Sequence, residues 1–249
     1  MTKKAEAYRE TLQQLADWEP FLLAESGLPG PRGNIELANV AADEGDEPLF
    51  RKLLRYDAER APTNSPQEFL AFCGVVGLGK LLAEGKTLVL EDISKWASDS
   101  RWRVREAVAM ALQRWGRRDM PGLLREMTGW SKGGRLARRA AVAALCEPDL
   151  LREKEHVRKV LTILDTVTAS IAAARGRKTR EFKVLRKALG YCWSVAVAAF
   201  PEEGKPRMER WIDSKDQDVR WVMKQNLRKN RLTRLDPNWV KRAQERLKL

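Results

Sequence analysis

Apolar residues along the chain recur three and four positions apart, which is the spacing that places side chains on one face of an α-helix. The clearest examples are Val104, Ala107, Val108, Ala111, Leu112 and Trp115 in one segment and Val219, Val222, Met223 and Leu227 in another. Strict alternation of apolar and polar residues, which marks a half-buried strand, is nearly absent, and the apolar run 88–90 is too short to form a sheet. The pattern predicts an all-α protein.

A longer pattern also repeats: a helix that ends in tryptophan, a short polar turn, and a second, apolar helix. Copies begin at Trp96, Trp130 and Trp211, and a weaker copy begins at Phe182. A repeat of roughly thirty to forty residues, built from paired helices, is typical of an α-solenoid. At about forty residues per unit, we predict a right-handed superhelix of about six helical pairs.

Residues that favour turns separate the predicted helices. They are Asp99-Ser100, Gly133-Gly134, Pro148, Gly176, the stretch from Pro201 to Pro206, and Asp236-Pro237. The Gly- and Pro-rich stretches 27–34 and 62–66 predict loops in a less regular N-terminal third.

Positive charge is concentrated in the later part of the chain. Residues 1–95 contain 11 Lys and Arg against 16 Asp and Glu, whereas residues 96–249 contain 36 against 18. We therefore expect a mildly acidic, irregular helical part, 1–95, and a basic repeat region, 96–249, within one continuous domain. The net charge of +13 favours a polyanionic partner, although any single basic run also fits a solvated helix surface.

The composition excludes several classes of site. The single histidine, His156, excludes most metal sites built from several histidines, and a catalytic triad unless that residue alone serves. Three widely separated cysteines cannot form a closed disulfide framework, which predicts a reducing compartment. A charged N-terminus and the lack of a long apolar run predict a soluble, cytoplasmic protein without a membrane span. No cofactor is implied.

One motif imitates a nucleotide site. The segment from Gly74 to Lys80 matches GxxxxGK, but Leu81 stands where a phosphate-binding loop needs Ser or Thr for Mg²⁺. Such a loop also needs a parallel sheet behind it, and the pattern predicts none. We interpret the glycines at 74, 77 and 79 as positions of close helix packing or a kink.

The spacing of Asp99 and Arg105 resembles a HEAT repeat, in which a turn aspartate and an arginine form a ladder between units. Asp213 or Asp216 with Arg220 repeats that spacing. The resemblance implies that the predicted superhelix is an array of HEAT-like pairs, and that Arg105 and Arg220 pair with turn aspartates.

The segments 96–108, 186–191 and 219–227 also resemble the HEAT-like-repeat alkylpurine DNA glycosylases of bacteria, over roughly residues 90–235. In that family a similar Trp/Ser-Asp/Trp run ends in an arginine that contacts the DNA backbone at the lesion. The resemblance implies this role for Arg105, and it places Tyr191 where the family has a lesion-side tryptophan.

The catalytic aspartate of that family has no counterpart here. It lies in a Trp-Asp-x-Val-Asp segment about one repeat before the arginine, and counting back from Arg105 reaches residues 65–79, where Glu68 is the only acid. Cleavage of a glycosidic bond needs a carboxylate beside the developing oxocarbenium ion. We therefore expect nucleic-acid binding, DNA favoured, without glycosylase chemistry. The alternatives are an active glycosylase that uses Glu68 or Asp99, and a scaffold that binds an acidic protein.

The candidate nucleic-acid-binding residues are basic and aromatic side chains of the repeats, most of them outside the apolar stripes. Arginine can clamp a phosphate with two hydrogen bonds, lysine acts as a point charge, and an aromatic ring can stack on a base. Trp102 and Trp221 have packing as their alternative role. The full set is Trp102, Arg103, Arg105, Arg138, Arg139, Arg186, Lys187, Tyr191, Arg220, Trp221, Lys224, Arg228, Lys229 and Arg231.

Overall fold

A computed structural model of the chain describes residues 2–247. Within that range the backbone is 73% helical, with fifteen α-helices, one short 3-10 helix and no strand. The prediction of an all-α protein is confirmed. The chain forms two compact units that divide between Arg118 and Asp119. The predicted boundary between the acidic and the basic region, after residue 95, lies in the last turn of the helix Val89–Trp96. It therefore falls inside the first unit and not between the two units.

The N-terminal unit is built around one long apolar helix. Its helices are α1 (Lys3–Gln14), α2 (Glu19–Ala24), α3 (Ile35–Glu44), α4 (Glu47–Leu53), α5 (Pro66–Ala83), α6 (Val89–Trp96) and α7 (Trp102–Gly116). Helix α5 packs against α2, α3, α4, α6 and α7. Ser65 caps it by accepting a hydrogen bond from the Glu68 amide, and proline follows at the first helical position.

Helix α5 is, among residues 2–247, the one helix long and apolar enough to cross a membrane by length and composition. It is 78% buried inside its unit, which is the position of a core helix. Its glycines make this packing possible, because a Cβ at Gly77 would lie 2.2 Å from the Phe50 ring and one at Gly79 would lie 2.4 Å from the Ala111 Cα. The interpretation of the GxxxxGK motif as a packing motif is confirmed.

The C-terminal unit contains paired helices. They are α8 (Met120–Trp130), α9 (Arg135–Leu145), α10 (Lys154–Ala172), α11 (Arg180–Ala199), α12 (Pro201–Ile212), α13 (Gln217–Leu227), α14 (Asn230–Leu235) and α15 (Pro237–Arg246), with the 3-10 helix Pro148–Leu150 after α9. The second helices α9, α11 and α13 are neighbours, with α11 between the other two, and α10 contacts both α8 and α12. Each first helix also packs on its own second helix, so the unit has two layers.

Three of the four predicted repeat boundaries coincide with helix ends, whereas the weaker copy at Phe182 begins inside the first turn of α11. Helices α6 and α8 end at Trp96 and Trp130, and α12 ends one residue after Trp211. The second helices α7, α9 and α13 follow after short turns. Every residue of the two predicted apolar stripes is buried, which confirms the helical spacing as the signal for the core.

One predicted turn is wrong. The stretch from Pro201 to Pro206 lies inside α12. Pro201 occupies the first turn, where a missing N–H is harmless, and it starts the helix. Pro206 removes one backbone donor further along, but the helix continues because Met208 and Ile212 are buried against the unit.

Candidate nucleic-acid interface

The excess positive charge belongs to the C-terminal unit. Residues 119–249 contain 30 Lys and Arg against 16 Asp and Glu, a net charge of +14, whereas residues 1–118 contain 17 against 18. The N-terminal unit is therefore close to neutral. A polyanion would be attracted mainly to the C-terminal unit.

Helix α11 carries an exposed polar stripe at the centre of the layer of second helices. Lys183, Lys187 and Tyr191 are all exposed and lie four residues apart. Because an α-helix rises 1.5 Å per residue, successive members of this stripe are separated by about 6 Å along the helix axis. Neither lysine forms an ion pair with an acid of the described chain. The stripe therefore presents free positive charge.

Arg186, which directly precedes Lys187 in the chain, connects α11 to α13. Its guanidinium lies 4.4 Å from the centre of the Trp221 ring, and its Nη1 donates a hydrogen bond to the Asp218 carboxylate. Both predicted binding residues are therefore half-buried and already engaged with each other. This contact shows that α11 and α13 present their polar faces to the same side of the unit.

Tyr191 makes a second contact between elements. The ring is 40% exposed, and the guanidinium of Arg231 lies 4.7 Å from its centre. Arg231 Nη2 also donates to the Tyr191 hydroxyl at 2.6 Å, and Lys229 Nζ lies 5.9 Å from the ring centre. The start of α14 is therefore joined to the stripe of α11, and three of the predicted residues form one cluster.

Besides Lys183, three of the predicted cations are unpaired. Lys187, Lys224 and Arg228 form no ion pair with any acid in residues 2–247; Lys187 and Arg228 are exposed and Lys224 is half-buried. Arg138 of α9 makes a single long hydrogen bond, 3.4 Å, to the Lys132 carbonyl. Arg139 is only 6% exposed, so its side chain lies in the interior.

In the N-terminal unit, Trp102 and Arg103 form a cation–π contact. The Trp102 ring is 43% exposed, and the Arg103 guanidinium lies 4.5 Å from its centre. Arg103 is itself buried, where it donates to Glu68 at 3.1 Å and to the Asn64 side chain at 3.1 Å. Its charge is therefore used inside the unit.

The predicted arginine ladder differs from the observed contacts. Arg105 is buried and donates to the main-chain carbonyls of Asp99 and Ser100, at 2.6 and 2.9 Å. Arg220 donates to the Leu247 carbonyl at 3.1 Å. The described chain contains no ion pair between Arg220 and either turn aspartate, so that pairing is wrong.

The turn aspartates have other partners. Asp99 accepts two hydrogen bonds from the Arg101 guanidinium, at 3.0 and 2.8 Å, and a third from its main-chain N–H at 2.7 Å. Asp213 pairs with Arg246 and Asp216 with Arg177. Each aspartate is thus bound to an arginine that the ladder spacing does not identify.

The two acids considered for glycosylase chemistry are both enclosed. Glu68 is fully buried. Its Oε2 accepts hydrogen bonds from the main-chain N–H of Asn64 and from the Arg103 guanidinium, whereas its Oε1 has no hydrogen-bond partner. The Asp99 side chain is held by the fork of Arg101. In this structure neither carboxylate is presented on the surface of the unit.

The loop between α10 and α11 (residues 173–179) is a basic element that the sequence pattern does not single out, because Gly176 indicates only a turn. Arg135 of α9 donates to the Thr179 hydroxyl at 2.8 Å and to the Gly176 carbonyl at 3.2 Å. Arg177 donates to Asp216 and Asp218. The density of basic residues in 175–187 was a signal that could have identified this segment.

Asp216, which holds this loop through Arg177, stays ionised. Burial would raise the pKa of Asp216, but hydrogen bonds from Arg177 and from the Val219 amide outweigh it and hold the pKa below its ordinary value. The same aspartate and Asp218 raise the pKa of Arg177. The pair is therefore fully charged near neutral pH.

Comparison with known proteins adds no relative: no family model, no curated protein and no solved structure matches the chain. Within residues 2–247, no three His, Cys, Asp or Glu side chains come together in a group that could hold a metal ion.

Proposed function

We propose that this protein binds the phosphate backbone of nucleic acid, DNA in preference, through the second helices of its C-terminal unit. The observation that carries the proposal is the exposed stripe of α11, in which Lys183 and Lys187 lie about 6 Å apart along the helix axis without acidic partners. Duplex nucleic acid carries a dense, regular array of negative charge, and cations that neutralise it release bound counterions. The preference for DNA rests on the resemblance to the alkylpurine DNA glycosylases.

We also propose that the helical pairs stack as HEAT-like repeats of a right-handed α-solenoid. The neighbour order within the C-terminal unit supports this, because α9, α11 and α13 form one layer and α8, α10 and α12 the other. Such stacking places corresponding faces of successive second helices side by side. Cations from α11, α13 and α14 can then contact one ligand together.

The aromatic contacts support recognition of the backbone over stacking on bases. Arg186 lies against Trp221, and Arg231 lies against Tyr191. One side of each ring is therefore already covered by a guanidinium, whereas a protein that stacks bases leaves aromatic faces open to them. Contacts to phosphates carry little sequence information, so we expect weak sequence preference.

The positions of Glu68 and Asp99 support binding without glycosylase chemistry. One is buried against Arg103, and the other is held by Arg101. Base excision needs a carboxylate that reaches the sugar of the substrate. Release of 7-methylguanine or 3-methyladenine from alkylated DNA by substoichiometric protein would establish the glycosylase alternative instead.

The test is fluorescence anisotropy of a labelled random-sequence DNA duplex with the full chain. If three or more phosphates are neutralised, the affinity falls log-linearly with salt, by tenfold or more between about 50 and 200 mM. Unlabelled duplex RNA and polyglutamate of equal total charge serve as competitors. Absence of duplex binding contradicts the proposal. Equal competition by polyglutamate would favour an acidic protein as the partner, and stronger competition by RNA would replace DNA.

A further inference from the structure

The loop of residues 173–179 carries three basic side chains and no acidic one. Its sequence is Ala-Ala-Arg-Gly-Arg-Lys-Thr, with Arg175, Arg177 and Lys178. A glycine in the left-handed region, Gly176 with φ of +67°, forms the bend. The loop leads directly into α11, whose exposed stripe carries Lys183 and Lys187.

Arg135 of α9 fastens one side of this loop. Its Nη1 donates to the Gly176 carbonyl at 3.2 Å and to the Thr179 hydroxyl at 2.8 Å, and its Nη2 donates to the Arg175 carbonyl. Its guanidinium also lies 5.5 Å from the centre of the Phe182 ring. A single side chain therefore holds three successive parts of the loop and the first turn of α11.

Arg177 fastens the other side. It forms ion pairs with Asp216 at 2.7 Å and with Asp218 at 2.9 Å. It also donates to the carbonyls of Ala172 and Ala174, at 2.9 and 3.2 Å. Asp216 and Asp218 are thereby occupied by an arginine of the loop itself, whereas Glu181, in the first turn of α11, stays exposed beside the loop.

These contacts divide the basic residues into two groups. Arg135 and Arg177 use their hydrogen-bond donors inside the unit, whereas Arg175 and Lys178 are exposed and form no ion pair within residues 2–247. A loop that is held in place before binding loses less conformational entropy when it binds. Both side chains are half-buried, and committing two guanidinium forks to contacts with one loop is an unusual use of charge unless the loop conformation matters.

We propose that the loop 173–179 is a preorganised phosphate-binding element, continued by Lys183 and Lys187 along α11. Arg175 and Lys178 contact the nucleic-acid backbone, and Arg135 and Arg177 are positioning residues. This assignment rests on the proposed function and adds to it the place where the backbone is anchored. Because the contacts go to phosphates, the element binds duplexes of any sequence.

The first test removes both contact residues. We expect Arg175→Ala with Lys178→Ala to lower the slope of log affinity against log salt by about 1.8 in magnitude, because each lost phosphate contact contributes about 0.9. Arg152→Ala with Lys159→Ala is the control for the change of net charge; both residues are exposed and pair with acids on their own segment. Lys159 lies on α10, about 20 Å along the helix axis from the loop, and Arg152 precedes that helix. The control pair should leave the slope unchanged.

The second test addresses the positioning role. Arg135→Lys keeps the charge but cannot donate to three acceptors as a guanidinium does. We expect duplex affinity to fall about threefold or more at constant salt slope, together with faster tryptic cleavage after Arg175, Arg177 or Lys178. Unchanged cleavage and affinity would show that Arg135 does not position the loop.

The outcomes separate the two proposals. If the wild-type protein does not bind duplex, the proposed function and this assignment both fail. If it binds with a steep salt dependence that the Arg175 and Lys178 double variant retains in full, the function stands and the loop assignment is wrong. A slope reduced equally by the control pair also overturns the assignment, because general charge then explains the effect.

Discussion

The guanidinium of Arg186 lies 4.4 Å from the centre of the Trp221 ring and donates a hydrogen bond to Asp218. This contact joins the central helix α11 to its neighbour α13 and places two basic helix faces on the same side of the C-terminal unit. The contact covers one face of the Trp221 ring and pairs the charge of Arg186 with Asp218. Both residues therefore hold α11 and α13 together and are not free to bind a ligand themselves. The exposed lysines around them remain available for a ligand.

If this surface binds phosphates and not bases, as we propose, Trp221→Leu should change duplex affinity by less than about threefold. The same substitution should reduce the free energy of unfolding, since the indole packs on Arg186 and near Gly190. Anisotropy titrations and urea unfolding measure the two effects. A loss of affinity of tenfold or more in a folded variant would indicate that Trp221 stacks on a base.

Lys187→Ala with Lys224→Ala should reduce the magnitude of the salt slope by about 1.8, because both lysines lack acidic partners. Stability should change little, since neither side chain is in the core. The control is Lys241→Ala with Arg242→Ala, two exposed residues of α15. An equal reduction of the slope in the control would show that net charge alone drives binding.

Arg103→Met should destabilise the protein by about 3 to 5 kcal/mol, because it leaves the fully buried Glu68 carboxylate without its positive partner. Adding Glu68→Gln removes that charge, so the double variant should be more stable than Arg103→Met alone. Urea unfolding of the two single variants and the double variant gives the coupling between the residues. Additive effects would contradict the ion pair.

Gly79→Ala should destabilise the protein by about 1 to 3 kcal/mol, because the new methyl would lie 2.4 Å from the Ala111 Cα, a backbone atom that cannot rotate away. Gly129→Ala is the matched control, since no atom lies within 4 Å of its Cβ position. It should stabilise α8 by up to about 1 kcal/mol. Thermal unfolding that lowers Tm equally for both variants would contradict the account of α5 packing.

The sequence was sufficient for the helices and their cores. Tryptophan followed by a polar turn located the ends of α6 and α8, and helical spacing identified the buried faces of α7 and α13. Both signals are local, since they depend on neighbouring residues within one or two helical turns.

The partners of the arginines could not be predicted in the same way. Arg103 binds Glu68, and Arg101 donates to the carbonyls of Tyr56 and Ala61, about forty residues earlier. Charge counts describe how many cations exist and not which of them remain free after folding. For this reason the sequence predicts Arg103 as a surface ligand, although its side chain lies in the interior.

Asp216→Asn should have an effect on stability that depends on pH. The pKa of Asp216 is held below its ordinary value in the folded protein, so its contribution is present above the unfolded-state pKa, near 3.9, and is lost as pH falls through the folded pKa. At pH 7 we expect the variant to be less stable by about 1 kcal/mol. In urea unfolding the difference should shrink below about pH 4. A difference that grows towards low pH would have the wrong sign.

Lysine acetylation footprinting of the full chain, with and without duplex DNA, tests the location of binding most directly. Mass spectrometry reports the modification of each lysine separately. We predict that DNA protects Lys183, Lys187 and Lys224, while Lys154, Lys159 and Lys241 react at the same rate in both samples. Protection of the second set, or equal labelling of both sets under conditions where the duplex is bound, would show that the layer of second helices is not the nucleic-acid surface.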